Sequence, residues 1–523
     1  MTQYSKSGLD RRQVIKVGIA ATALANLPLW AGHAQAAACK NLRAGITGYN
    51  VINTLDPGKA SLIPEFYVIW GMFNTLVKFN DKMEIVPDLA ESWTSKSPTV
   101  WAFKLREGVT FHDGKPMTAE DVKFTLERVT NEDFGSPHKS KFKVISEIRV
   151  IDDHNLEIET SKPFAPLLGY LTNTRTGSQI VPKHILEKGS AEEFAKNPVG
   201  TGPFKLAAFN PGASLRLEAF EDYFVPDQPA VEAVDIPLIA EESAGVTALL
   251  GDSIDITSTA PFADVPELMK NDKVQVLSSP GVNTRFVSIN TSRAPFDDVH
   301  FRRALSMAFD RKAMVDVVVF GEGRVANGVI PSAIDWAYRS DPHPLLKFDP
   351  KAAKEELAKS KYGPGAEATV LTWGSGWWKR FAEVFVLQVN KTLGVNFKVE
   401  VSESGTVYQR KKKGDFDATI WGWLGLIDPD EYAYDILHSK GWRNFEKYSN
   451  PKVDAILEEA RSELDQSKRG DLYRKAELLA IEDVPLIFAF ESNVHNLLRT
   501  PVKGFEQLPY SAFGAQLAAV SDC

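Results

Sequence analysis

The sequence predicts an α/β protein built from more than one lobe, and three observations carry that expectation. At 523 residues the chain is too long for a single compact core. Strand-like and helix-like apolar periods alternate along it, which points to mixed α/β lobes. Its composition, 44% hydrophobic and 24% charged with a mean hydropathy of −0.19, fits a globular chain and neither a disordered one nor a membrane bundle. Eleven Trp, thirteen Tyr and thirty Phe suffice for a large core and leave aromatics to line a cleft.

Leu9-Asp10-Arg11-Arg12 places paired arginines before a modestly apolar stretch from Val17 to Trp30, and Ala34-Gln35-Ala36 follows as a small-residue cleavage site. Basic, apolar, then small is the order of a secretory signal, and the two arginines make residues 1–36 a twin-arginine (Tat) type. The apolar stretch is too weak to span a bilayer, and no later run reaches about 18 apolar residues. The expectation is an exported protein of the periplasm. Removing residues 1–36 deletes Lys6, Arg11, Arg12 and Lys16 with Asp10, which takes the net charge from −8 to −11. An acidic surface argues against nucleic acid as a partner.

Further along, Trp93 and the stretch 101–105 read as an apolar-alternating hairpin, with Glu107-Gly108 and His112-Asp113-Gly114 as its turns. Thr118-Ala119-Glu120-Asp121 reads as an N-cap followed by an acidic first turn. Gly200-Thr201-Gly202-Pro203 reads as a turn whose glycines permit positive φ. Residues 368–373 form a predicted strand, and 379–393 a helix with Phe381, Val384, Phe385 and Gln388 at helical spacing. Residues 395–401 alternate apolar and polar as a half-buried strand. The turn of this strand–turn–helix–strand unit is Gly374-Ser375-Gly376, at the strand end where open sheets bind ligands. The basic run Arg410-Lys411-Lys412-Lys413 reads as a solvated helix face ahead of Gly414-Asp415. Cys39 and Cys523 are the two cysteines, and an oxidising compartment favours one disulfide between them. A poor lipobox at Ala36-Ala37-Ala38-Cys39 and two free thiols are the alternatives.

Enzyme motifs are missing. The nine histidines are scattered without H-E-x-x-H spacing, and two terminal cysteines make no metal cluster, so neither a metal nor a cofactor is expected. Gly374-Ser375-Gly376 lacks the G-x-S-x-G spacing of a nucleophile elbow, and Lys379 follows no P-loop pattern. A secreted hydrolase is therefore the weaker reading.

Several segments resemble the dipeptide/oligopeptide/nickel-binding family of ABC-transporter solute-binding proteins (family 5, cluster C). They are Pro87-Asp88-Leu89-Ala90-Glu91-Ser92-Trp93, the stretch from Trp101 to Gly114, Thr118-Ala119-Glu120-Asp121-Val122 and Pro198-Val199-Gly200-Thr201-Gly202-Pro203-Phe204. Pro295-Phe296-Asp297-Asp298, Arg302-Arg303-Ala304-Leu305, Asp310-Arg311, Gly422-Trp423, Asp428-Pro429-Asp430 and Asp483-Val484-Pro485-Leu486 continue the match in the family's order. The resemblance implies a type II periplasmic binding protein of two lobes, with an extra α/β domain inserted in the first. On that pattern lobe 1 takes 40–80, 181–283 and 492–523, the inserted domain 81–180, and lobe 2 284–491. It implies a small-molecule ligand held between closing lobes, ABC permease domains in the inner membrane as partner, a monomer and no enzymatic activity.

In peptide-binding relatives a cation at the start of the helix after the strand–turn unit holds the ligand carboxylate, and the register places Lys379 or Arg380 there. Helix-start amides at Ser375 and Gly376 would join it. Those relatives hold the amino group with an Asp after the Gly-Trp-x-Gly stretch; here Leu426 stands at or beside that place, with Asp428 two residues on. An ordinary di- or oligopeptide is therefore the alternative reading, because a buried ammonium needs a carboxylate. Trp373, Trp377, Trp378, Trp421 and Trp423 cluster around the two cleft segments with Gly422, either as aromatic walls or as core. Tyr49, Asn50 and Ser61 are the expected first-lobe contacts, and Arg285 is expected near the crossover. Length, terminal cysteines and site composition resemble the agrocinopine-binding members of the family, so an opine or sugar phosphodiester joins peptide-like anions as the expected ligand.

Overall fold

The computed structural model describes residues 40–374, 376–425, 428–510 and 513–523. The predicted signal segment, Cys39, Ser375 and Leu426 lie outside the described residues. No helix among the described residues is long and apolar enough to cross a membrane.

In chain order, strand β1 (Asn41–Thr47) leads to helix α1 (Ile63–Met72), whose residues from Pro64 onward are all buried. Residues 90–160 then carry a separate antiparallel sheet, β2 (Ala90–Ser97), β3 (Val100–Leu105), β4 (Ile145–Asp152) and β5 (Asn155–Thr160), in the order β2-β3-β5-β4. The hairpin β2–β3 pairs Trp93 with Phe103. Its turn is Pro98-Thr99, between the two strands. Gly108 and Gly114, with φ of 76° and 79°, instead redirect the chain after β3. Helix α2 (Ala119–Thr130) starts on a reciprocal Thr118–Asp121 capping box, as its sequence predicts. Asp121 also accepts the Lys183 amide at 2.9 Å, which ties the helix to the returning chain.

The chain continues through β6 (Phe204–Asn210), β7 (Ser214–Ala219), β8 (Ala233–Ile239), the short β9 (Ile256–Thr257), β10 (Val274–Pro280) and β11 (Asn283–Ile289). Then come β12 (Gly323–Val325), β13 (Glu367–Trp373), helix α3 (Trp377–Leu393), β14 (Asn396–Ser402), helix α4 (Ser404–Lys413) and β15 (Ala418–Leu424). Helices α5 (Pro429–Leu437) and α6 (Gln466–Asp483) precede the long β16 (Leu486–Arg499). One large mixed sheet runs β14-β13-β15-β11-β16-β9-β1-β8-β7-β6, with β10 and β12 also paired to β16. Strand β16 is the seam: Leu486 to Phe490 pair with β11, and Asn493 to Arg499 pair with β10.

The β13–α3–β14 unit agrees with its apolar periods, and β13 and β14 run parallel from Glu367↔Asn396 to Trp373↔Ser402. Phe381, Phe385 and Val389 of α3 bury their stripe in a core with Val287, Phe301 and Phe397. Two expectations need correction. Gly200 and Gly202 do not adopt positive φ. They are glycines because a Cβ would stand 2.0 Å and 2.4 Å from the Met72 backbone at the end of α1. The basic run is not wholly solvated either: Lys411 is fully buried, with its ammonium 2.7 Å from Glu446. Phe416, Trp421 and Phe445 lie about its Nζ at 5.0–5.2 Å.

Candidate ligand-binding site

Strands β13 and β15 run parallel, and β11 runs antiparallel beside β15, so Trp373, Leu424 and Asn283 end on one sheet edge. Helix α3 begins at that edge, after Gly376 with φ of 58°. This is the crevice position at the carboxyl ends of parallel strands.

Arg285 is the centre of the edge. It stands opposite Gly422 in the β11–β15 register. A Cβ at Gly422 would meet the Arg285 Cδ at 2.6 Å and the Thr284 carbonyl at 2.9 Å, so only glycine lets the side chain lie against the strand. The guanidinium carbon sits 5.1 Å and 5.5 Å from the rings of Trp377 and Trp378, within cation–π range. Its Nε is sealed from solvent without a hydrogen-bond partner among the described residues. Burial pulls its pKa down to about 10, against the opposing influence of Tyr432 and Tyr49. No ion pair joins Arg285 to a carboxylate among the described residues. A guanidinium in such surroundings gains from an anionic partner.

Aromatic rings extend the site along the edge. Trp377 and Trp378 stack at 3.9 Å, Trp378 reaches Trp373 at 4.0 Å, and Trp373 meets Trp421 edge-on at 5.4 Å. All four are half-buried, so this row offers ring faces and edges to a ligand as well as packing on the lobe beneath.

Past Trp423 the edge opens into a cavity of about 840 Å³ between residues 137–175 and 423–461. Lys141, Arg175 and Arg443 line it with Glu431 and Asp435. Arg175 donates Nη2 to the Leu424 carbonyl at 3.2 Å, which joins the cavity to the end of β15. The Arg443 guanidinium lies between two indoles, 3.3 Å from Trp423 and 3.7 Å from Trp442. Burial lowers Lys141 to about 8 and Arg443 to about 10. Burial first, then the neighbouring Asp430 and Glu431, raise Asp435 to about 7.

Tyr49 faces this edge from the β1 side; burial raises its phenol, while Arg175 and Arg285 pull it down. Ser61 lines the cavity, and Asn50 is exposed just beyond β1. Of the expected contacts, Ser61 and Trp423 line the cavity. Arg285, Gly422, Trp373, Trp378 and Trp421 lie about the strand edge, and Tyr49 is near enough to Arg285 and Arg175 to be influenced by both. Three expected contacts are placed elsewhere. Lys379 is half-exposed and pairs with Glu383 at 3.7 Å, and Arg380 is exposed over Phe320 at 5.1 Å. Both lie on the first turn of α3 but on its outer side, because the buried stripe of that helix takes Phe381 and Phe385. Asp428 is consumed internally: it caps α5 and binds Arg469 at 2.5 Å and 2.7 Å.

Sequence reasoning missed Lys141, Arg175, Arg443, Glu431 and Asp435. Glu431 and Asp435 are spaced i, i+4 on α5, a face pattern open to reading. Arg443 next to Trp442 was a second visible signal. Arg175 sits in a polar run whose neighbours Thr172, Thr174, Thr176 and Ser178 are all buried, which no local period reveals.

The chain matches the model of "Bacterial extracellular solute-binding proteins, family 5 Middle" over residues 84–444. It is 29% identical over 468 residues to the probable D,D-dipeptide-binding periplasmic protein DdpA of Escherichia coli K12, covering 86% of this chain and 89% of the relative. It is 30% identical over 473 residues to heme-binding protein A of Haemophilus influenzae, covering 84% and 86%. Among solved structures it resembles the periplasmic binding protein AgaA of A. tumefaciens R10 in complex with agropinic acid. The TM-score there is 0.78 at 25% identity, over 92% of this chain and 98% of that one.

Proposed function

Because this chain belongs to the bacterial extracellular solute-binding proteins of family 5, we propose that it is the periplasmic substrate-binding component of an ABC importer and captures a small anionic solute between two closing lobes. The observation that carries the anion is Arg285, a half-buried guanidinium among tryptophans whose Nε is sealed from solvent and unbonded. Opine- or sugar-phosphate-type acids fit it, since they combine an anionic group for Arg285 with a body for the tryptophan row. The relative crystallised with agropinic acid supports that class. Relatives described as binding dipeptides support the peptide alternative. That alternative needs a carboxylate for the ammonium, and Asp428 is committed to Arg469. Anchoring by Lys379 or Arg380 is replaced in this reading by anchoring at Arg285.

The two strand crossings near Gly281 and Ser492 are read as the hinge, with lobe 1 at 40–80, 181–283 and 492–523, lobe 2 at 284–491 and an inserted domain at 81–180. The protein works as a monomer, is exported by a twin-arginine signal and returns the solute unchanged. Cys39 pairs with Cys523 in this reading. The Ala230 amide bonds the Ala518 carbonyl and the Ala233 amide bonds the Lys40 carbonyl, so the C-terminal tail runs beside the start of β1.

Native mass spectrometry of the protein as purified tests the function. A single noncovalent anion per chain, of unchanged mass after long incubation, is the expected result. A retained cation, or conversion of the bound molecule into products, contradicts it.

A further inference from the structure

We propose that the cavity beyond Trp423 is a second anion subsite, formed by Lys141, Arg175 and Arg443, so that the solute carries two separated anionic groups. This inference rests on the reading of Arg285 as the first anion site.

The charge inventory of the cavity favours an anion. Arg461 is committed to Asp430 through bonds of 2.8 Å and 2.7 Å, so that pair cancels. Lys141 instead donates to the Arg175 carbonyl at 3.0 Å and approaches His138 Nδ1 at 3.4 Å. Arg175 donates to the Leu424 carbonyl. Arg443 is wedged between indoles with its Nε unbonded. Among the described residues, no ion pair joins any of these three cations to a carboxylate. Glu431 and Asp435 are the opposing charges in the cavity. Lys143, Lys162 and Lys440 also line the cavity but are exposed, and Lys162 lies 3.7 Å from Glu458. Against Glu431 and Asp435, the half-buried Lys141, Arg175 and Arg443 leave the cavity positive. Cations brought together and desolvated repel one another, and a ligand anion relieves that repulsion.

The two subsites meet at the end of β15. Gly422 lies against Arg285, and the next residue, Trp423, leaves the opposite face of β15 and carries Arg443 on its ring, so the two cations flank the strand near its end. Tyr49 feels both Arg285 and Arg175. Arg175 closes on the last residue of the strand, Leu424, so in this reading a solute lies across the end of β15, with Arg285 on one side and the Arg175–Arg443 group on the other. The shared chemistry is a dianion, whether two carboxylates or a carboxylate with a phosphate ester.

Thermal-shift titration separates these possibilities. The probes are succinate, adipate and suberate against the matching monoacids butyrate, hexanoate and octanoate, with 3-phosphoglycerate against glycerate as the phosphate arm. At least one dianion is expected to bind at least tenfold more tightly than its monoanion. Arg443→Gln and, separately, Lys141→Gln are each expected to bring the dianion-to-monoanion affinity ratio down to about one; the second variant guards against a folding defect in the first. Arg285→Gln is expected to weaken both kinds of probe. Monoacids that bind as tightly as diacids and still depend on Arg285 overturn the second subsite alone. A dianion preference that survives in both cavity variants overturns it too. No binding of any probe overturns both subsites.

Discussion

Lys411 shows how a residue's chemistry is set by what packs on it. Three of the four basic residues at the end of α4 lie at or near solvent, while Lys411 turns inward to Glu446 and Ser288 beneath Trp421. Burial pulls its pKa down and Glu446 pulls it back up. Removing one partner of a buried pair strands the other, which costs about 3–5 kcal/mol. Lys411→Met should lower stability by that amount in denaturant unfolding, and the double variant Lys411→Met/Glu446→Gln should recover most of it. The sequence could not single out Lys411, because four consecutive cations look alike until the register of α4 against β11 is known. Gly422 is the opposite case. Its Gly-Trp neighbourhood was readable as part of the site, but its reason, room for Arg285, belongs to a pairing between residues far apart in sequence.

Among the elements, the unit β13–α3–β14 was legible almost to the residue, since apolar periods of two and of about 3.6 report local structure directly. What the periods did not give was the outward aim of Lys379 and Arg380, which depends on how α3 rolls to bury Phe381 and Phe385. Helix α5 has a consequence for binding. Asp428 caps it, Asp430 neutralises Arg461, and Glu431 and Asp435 face Lys141, Arg175, Arg443 and Tyr170 across the cavity. Asp435 titrates near 7 and Lys141 near 8, while His138, depressed to about 3 chiefly by burial, stays neutral. As pH falls, Lys141 gains a charge through about 8 and Asp435 loses one through about 7. Both steps make the cavity more positive. Affinity for the retained solute, measured by calorimetry at pH 6 and pH 9, should be higher at pH 6. Asp435→Asn should remove the lower step and leave the upper. Equal affinities at the two pH values, after correction for titration of the solute, contradict this arrangement.

At the scale of the whole molecule, the large mixed sheet is assembled from strands that pair across long sequence separations, such as Asn41↔Ala233 and Arg285↔Phe490. No local period specifies such pairings, so the architecture was accessible only through motif order. The seam strand β16 and the turn at Gly281-Val282 join the two halves of the sheet. Asn283 stitches them through reciprocal bonds with Ser492 at 2.8 Å and 2.9 Å. Arg285 lies two residues from that stitch, so an anion held there touches the place about which the proposed lobes turn. Calorimetry with the solute recovered from the purified protein tests this central claim most directly. Arg285→Gln should lose about 2–5 kcal/mol of binding free energy, as expected when a desolvated partner is left unpaired. The double variant Lys379→Ala/Arg380→Ala should stay within about 1 kcal/mol of wild type, as exposed charges do. Wild-type affinity in Arg285→Gln, with loss of binding in the double variant, would contradict the account.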